Sequence, residues 1–441
     1  MENQNSKSKF QKLRKEYPKF VYEKYGYKIS NNNLEIFFDF RIEPDLVPEQ
    51  ARYEASIKFQ PKIIIQNIDK KRFEKIEDSV IKNLIFHCGL IEIPSYWKVT
   101  CSQEIEIKAG YLNGDQVKWW KKLFIDGMGQ FFYGNKIDWR KKDFLKIKIN
   151  SGEKYKKFEG KLKNRYLVPF AGGRDSIVTL ESLKGLRKTI SLFTVNPIEK
   201  IQRTVRVSQI KEQIIVKRII DKKLLELNKK GFLNGHTPFT AALSFVSVCC
   251  ATLFDYKNIA FSNEKSADEG NVKYLGKVIN HQWAKSSEFE KMFQYYSKRY
   301  LAGEINYFSY LRKYTELEIS KILTKYPQYF SVFSSCNAGM RMNASGLLRA
   351  KKRWCGNCIK CLFVYATLYP YLKKEQLLKI FGSDFFESKR FLPAMEALID
   401  KKTIKPFECV GTKKETKKAF ELSLKRARNE GKVPYLLAEL K

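Results

Sequence analysis

Between Leu34 and Ile149 the apolar and polar positions follow the rhythm of strands. Leu34-Glu-Ile-Phe-Phe-Asp-Phe, Ser56-Ile-Lys-Phe and Glu104-Ile-Glu-Ile-Lys alternate or carry β-branched and aromatic side chains, as half-buried strands do. A helical pattern over 116–127 interrupts them. The expectation is an α+β N-terminal domain over 31–150, preceded by a flexible basic arm over 1–30. The polar stretch 150–164 reads as a linker. Beyond it the rhythm becomes strand–loop–helix. Strands are expected at 166–170, 189–195, 213–216, 258–262 and 329–335. Helices are expected at 176–186, 199–210 and from Thr237-Pro238 to about 254, with Thr237 as N-cap. That alternation predicts an α/β domain over 160–375, a mostly parallel sheet with helices on both faces. A basic, largely helical segment closes the chain over 376–441.

Composition supports a globular chain, with 44% apolar and 14% aromatic residues. No apolar run approaches the ~18 residues that cross a bilayer. The polar N-terminus has no apolar core of a secretory signal. A cytoplasmic protein without membrane insertion is the expectation. The formal charge of +36 has two readings: an anionic partner, or a lysine-biased proteome. Lysines run from Lys7 to Lys441 without gathering on one element, so charge alone does not make a nucleic-acid binder. The oligomeric state is not legible.

Three segments carry chemistry. The apolar strand Tyr166–Phe170 runs straight into Ala171-Gly172-Gly173-Arg174-Asp175-Ser176, and a helix follows. Glycines let the backbone turn tightly and present N–H groups to phosphate oxygens. The helix start adds unpaired N–H groups and a positive dipole end. Ser176 offers a hydroxyl, Arg174 a phosphate contact, and Asp175 a ligand for Mg²⁺. No Lys-Ser/Thr pair follows at Walker A spacing. Second, Ser262, Asn263 and Glu264 follow the 258–262 strand and should share the phosphate loop's sheet edge, with His236 and His281 in neighbouring segments. These are candidates for substrate contact or proton transfer; His236 as a helix cap and Glu264 on a solvated loop are the plain alternatives. Third, nine cysteines include Cys336, Cys355, Cys358 and Cys361, clustered as metal ligands cluster in a chain without an export signal. Four thiolates suit structural Zn²⁺, with an iron–sulfur cluster as the alternative.

The loop resembles the SGGxDS motif of N-type ATP pyrophosphatases, the PP-loop class, with Ala171 in place of the first serine. C-x2-C-x2-C is similar to the zinc site of the PP-loop enzyme 7-cyano-7-deazaguanine synthase. A wider set of motifs extends the likeness: Ser95-Tyr-Trp-Lys-Val-Thr-Cys-Ser, Trp119-Trp120, Gly127-Met-Gly-Gln-Phe-Phe-Tyr, Asn234-Gly-His, Ser262-Asn-Glu, Asn280-His281-Gln, Trp354-Cys-Gly-Asn-Cys-Ile-Lys-Cys and Phe407-Glu-Cys-Val-Gly. In order and spacing these resemble the UDP-N-acetyl-α-D-muramoyl-L-alanyl-L-glutamate epimerase family over about 30–415. That resemblance implies ATP and Mg²⁺, a UDP-MurNAc-dipeptide substrate, and inversion of its terminal L-Glu through carboxylate adenylylation with release of AMP and pyrophosphate. It also implies an acid and a base, for which His281, Glu264 and Cys409 are the candidates. The alternative is another PP-loop enzyme, modifying tRNA or of the 7-cyano-7-deazaguanine type.

Overall fold

The computed structural model describes residues 2–45, 48, 51–150, 152–338, 353–400 and 402–440, without the side chains of 2–7. Its strands are β1 (Lys19–Ser30), β2 (Asn33–Glu43), β3 (Ile57–Phe59), β4 (Lys62–Ile65), β5 (Glu104–Ile107), β6 (Lys146–Ile149), β7 (Tyr166–Pro169), β8 (Ile190–Val195), β9 (Gln213–Ile219), β10 (Asn258–Phe261), β11 (Val272–Tyr274), β12 (Lys277–Ile279) and β13 (Asn306–Ser309). All but the β11–β12 hairpin join one sheet in the order β13-β10-β7-β8-β9-β4-β2-β1-β5-β6, with β3 against β2.

The sheet has two halves. From β13 to β9 every neighbour is parallel. The chain steps from β7 outward to β8 and β9, then returns to the other side of β7 for β10 and β13. That reversal beside β7 is a topological switch point, where ligands of open α/β sheets bind. The other half is mixed and attaches through the antiparallel β9–β4 pair. The boundary expected near 150–160 therefore separates two halves of one sheet. Across the join, Arg218 on β9 grips Glu92 of the helix Asp78–Trp97 with a two-pronged ion pair at 2.6 and 2.7 Å.

Two expectations need correction. Residues 19–30 are not an arm: β1 lies inside the sheet, between β2 and β5. Phe20, Val21 and Tyr22 are fully buried, and their apolar surface outweighs the lysines around them. The segment 329–335 is not a strand. Pro327 opens a 3₁₀ turn over Pro327–Tyr329, and the chain continues as irregular structure. β13 takes the fifth parallel position, with Tyr307 and Ser309 buried. The helix expected from Thr237 begins at Phe239, N-capped by Pro238 without a side-chain hydrogen bond. Its run to Phe254 is apolar all round, as a helix buried under a sheet must be. Among the described residues no helix is long and apolar enough to cross a membrane.

Candidate active site

β7 ends at Pro169, and the chain turns through Ala171-Gly172-Gly173 into the helix Arg174–Gly185. Gly172 has φ +69°, and a Cβ there would meet Thr204 Oγ1 at 3.0 Å. Only glycine takes this backbone without strain. Ser335 Oγ takes the first helical N–H, that of Arg174, at 3.1 Å, and the N–H groups of Asp175 and Ser176 at this helix start suit an anion. Above the loop lies a cavity of about 310 Å³. Ala171, Gly173, Asp175 and Ser176 form one wall. Phe193, Val195, Ile201, Phe239 and Leu243 make an apolar wall, and Ser262, Asn263 and Lys285 a polar one. Ser262 Oγ is buried without a hydrogen-bond partner among the described residues, so this wall is built for a guest. Asn263 Nδ2 is held by Ser309 Oγ at 2.9 Å.

Arg174 departs from its expected place on phosphate. Its side chain turns away from the cavity, is fully buried, and pairs with Glu316 and, at 2.8 Å, with Asp175. Ser320 Oγ accepts a further bond at 3.1 Å. Burial opposes the guanidinium charge, but Asp175 and Glu316 outweigh it and hold its pKa above the ordinary value. Burial raises the Glu316 carboxyl against the pull of Arg174. Asp175 stays ionised: burial works against it, and Arg174, Lys360 and Lys285 pull its pKa down. Arg174 thus orients Asp175 instead of meeting the ligand.

Lys285, which sequence reasoning passed over, joins the cavity to a second cluster. Its Nζ lies 3.5 Å from Cys409 Sγ. Burial opposes its charge, yet Cys409, Glu264 and Asp175 raise its pKa. Cys409 Sγ is 3.9 Å from His281 Nε2, and His281 Nδ1 is 2.5 Å from Gln130 Oε1. The His236 ring packs on His281 at 4.5 Å. Burial, helped by Lys98 and Lys285, pushes the His236 pKa down to about 4, so it is neutral at pH 7. Glu264 is buried, and its Oε2 has no hydrogen-bond partner among the described residues. Three expected residues, His281, Cys409 and Glu264, therefore gather around one lysine. The clue in the sequence was spacing: Lys285 follows His281 by four residues within one short turn segment, 3₁₀ over Trp283–Lys285.

The four clustered cysteines also come together. One ligand sulfur from each of Cys336, Cys355, Cys358 and Cys361 lies within 4.8 Å of the others. Cys358 and Cys361 approach to 3.4 Å, and Cys355 and Cys361 to 3.7 Å. Cys358 N-caps the helix Ile359–Leu368, which carries Lys360 and Cys361 on its first turn.

Strand order, glycine loop and switch-point cavity together define a protein of the α/β class, with a large, mostly parallel sheet flanked by helices. Residues 11–310 match the MurL N-terminal domain and residues 332–439 the MurL C-terminal domain. Three relatives bear the name UDP-N-acetyl-alpha-D-muramoyl-L-alanyl-L-glutamate epimerase. The one from Xanthomonas oryzae pv. oryzae is 31% identical over 342 residues, 77% of this chain and 74% of that protein. Those from Salinispora tropica and a Micromonospora species are each 35% identical over 258 residues, 58% of this chain. These alignments cover 55% and 56% of those two proteins. The chain belongs to the MurL family. A solved chain described as a predicted subunit of tRNA methyltransferase from Methanocaldococcus jannaschii overlaps 37% of this chain and 75% of its own length. Its identity is 15% and its TM-score 0.23, too loose an overlap to bear on function.

Proposed function

We propose that the protein inverts the terminal L-Glu of UDP-MurNAc-L-Ala-L-Glu in an ATP-dependent reaction through an acyl-adenylate. The names of its relatives support the substrate. The observation that carries the mechanism is Lys285, which lines the cavity above the phosphate loop and touches Cys409. It joins a place for ATP to a place for proton transfer.

An α-proton beside a free carboxylate is very weakly acidic, because its loss sets a second negative charge next to the first. Adenylylation removes that obstacle. A carboxylate oxygen attacks the α-phosphorus, pyrophosphate leaves, and the acyl group becomes neutral. Gly172, Gly173 and Ser176 would cradle the phosphates, and the apolar wall would take the base. Asp175 would hold Mg²⁺, which supplies charge neutralisation on the phosphates.

Inversion then needs proton carriers on both faces of the α-carbon. Cys409 and His281 stand too close together to flank a carbon, so they make one arm. Glu264 makes the other. Lys285 faces the carboxylate before activation and the enolate oxygen after proton loss. One arm takes the α-proton, the other returns one from the opposite face, and water releases AMP and the D-Glu product.

The four thiols suit one Zn²⁺. Sulfurs about 2.3 Å from zinc stand about 3.8 Å apart at tetrahedral corners, close to the spacing here. A cluster of several irons needs a wider cage. Zinc there would hold the fold and take no part in chemistry. The test is ATP–pyrophosphate exchange driven by UDP-MurNAc-L-Ala-L-Glu, together with solvent deuterium entering the glutamate α-position. Exchange of neither kind would sink the proposal.

A further inference from the structure

The four-cysteine site is wired to both parts of the reaction centre. Cys336 is preceded by Ser334 and Ser335. Ser334 N–H donates to Gly172 O at 3.1 Å. Arg174 N–H donates to Ser335 Oγ at 3.1 Å. A Cβ on Gly173 would lie 3.2 Å from that same Oγ, so the two segments pack at contact. The phosphate loop thus leans on the residues leading into the first metal ligand.

On its other side the site reaches Cys409. Asn337, next after Cys336, donates from Nδ2 to Glu408 Oε2. Lys360, between Cys358 and Cys361, donates from Nζ to Cys409 O. Lys360 is buried, whereas Glu408 and Cys409 belong to no helix or strand and rely on such contacts for their place. Around Cys336 and Cys355 the metal segment is also held by Trp354, whose ring packs on Phe333 and Phe381, and by Arg353, which donates to Ile380 O at 2.6 Å. Cys355 N–H donates to Cys336 Sγ at 3.4 Å, and Ser334 Oγ donates to Arg353 O at 2.7 Å. Thiolates this close need a cation between them, and binding such a cation is local folding energy.

Resting on the proposed role of Cys409, we infer that the metal site is a staple that holds the phosphate loop and Cys409 in register, with Lys360 and Asn337 as its positioning residues. Metal loss would release both halves together. Loss of Lys360 alone would release only the Cys409 half. The metal then governs catalysis from outside the cavity, without touching ATP or the muropeptide.

The experiment compares the metal-loaded protein with the protein after EDTA. Two rates are read by mass spectrometry: hydrogen exchange of the amides 172–176, and iodoacetamide alkylation of Cys409. Metal loss is expected to raise both by about tenfold while the amides of β7 and β8 stay protected. Unchanged rates in metal-free protein would overturn the staple. A second variant covers general unfolding. Metal-loaded Lys360→Met should keep one metal ion per chain and the slow hydrogen exchange of the amides 172–176. Its Cys409 alkylation should quicken, and its inversion of the muropeptide should fall by about tenfold, with recovery in Lys360→Arg. Wild-type behaviour of Lys360→Met in both readouts would also overturn the staple. Full inversion of the muropeptide by Cys409→Ser would instead remove Cys409 from the chemistry, and the alkylation and hydrogen-exchange results would still decide the staple.

Discussion

Lys285 Nζ stands 3.5 Å from Cys409 Sγ, although 124 residues separate them along the chain. The contact joins the polar wall of the cavity to the irregular segment near the C-terminus, two parts that no local pattern links. Lys285 reaches this thiol from the 3₁₀ turn Trp283–Lys285. It also faces the cavity that holds Asp175.

The two residues should separate in partial reactions. Cys409→Ala should keep ATP–pyrophosphate exchange and lose inversion of the muropeptide by about 10²–10⁴-fold, the range for a proton carrier. Lys285→Met should lose both, because its charge faces the carboxylate before and after activation. Equal losses in the two variants would mean that Lys285 acts only through Cys409.

Arg174 and Glu316 form a fully buried pair. Removing one partner leaves a buried charge, so Arg174→Met should lower stability by roughly 3–5 kcal/mol. Glu316→Leu on that background should recover most of it. A phosphate-binding arginine would behave otherwise, with a raised KM for ATP and an unchanged unfolding temperature. Thermal unfolding of the two single variants and the double separates these outcomes.

How much could be read beforehand follows from range. The loop Ala171–Ser176 announces itself, since its glycines, the strand before and the helix after lie within twenty residues. The four cysteines do so by spacing. The role of Arg174 stayed hidden because its partner Glu316 lies 142 residues away, and an arginine in a glycine loop looks the same whether it turns inward or outward. β1 stayed hidden for a related reason. Its lysines and tyrosines read as a solvated arm until β2 and β5 pair with it on both sides. Lys285 stayed hidden because its value depends on Cys409, Glu264 and Asp175, which only the fold assembles.

His87 gives a pH dependence separate from catalysis. It is buried, with Nδ1 2.8 Å from Asn83 O and Nε2 2.9 Å from Tyr296 Oη. Tyr296 Oη also accepts from Trp120 Nε1 and Gln116 Nε2, so its own proton goes to Nε2, and neutral His87 donates from Nδ1. Burial pushes the His87 pKa down from 6.5 to about 4. The unfolded chain therefore binds a proton that the folded chain refuses in that window. Stability should fall by about 3 kcal/mol as pH drops from 6.5 to 4, and be fully present above 6.5. His236 carries a shift of the same sign. Denaturant midpoints across this range should flatten in His87→Gln, relative to a wild-type curve that slopes down toward acid.

The two proposed arms can be told apart by the epimer on which each acts. A single carrier left on one face can remove a proton and return it to the same face. It then exchanges the α-hydrogen of one epimer and inverts nothing. Glu264→Gln leaves the Cys409–His281 arm, and Cys409→Ala with His281→Gln leaves the Glu264 arm. Incubated in D₂O with ATP and either the L-Glu or the D-Glu muropeptide, the two proteins should give mirror-image results. Each should place deuterium in one epimer only, and the epimer should differ between them. Inversion should fall by about 10²–10⁴-fold in both. Nuclear magnetic resonance of the glutamate α-position reads exchange and configuration in one spectrum. If both variants exchange the same epimer, the arms share a face, and Glu264 is not the opposing carrier.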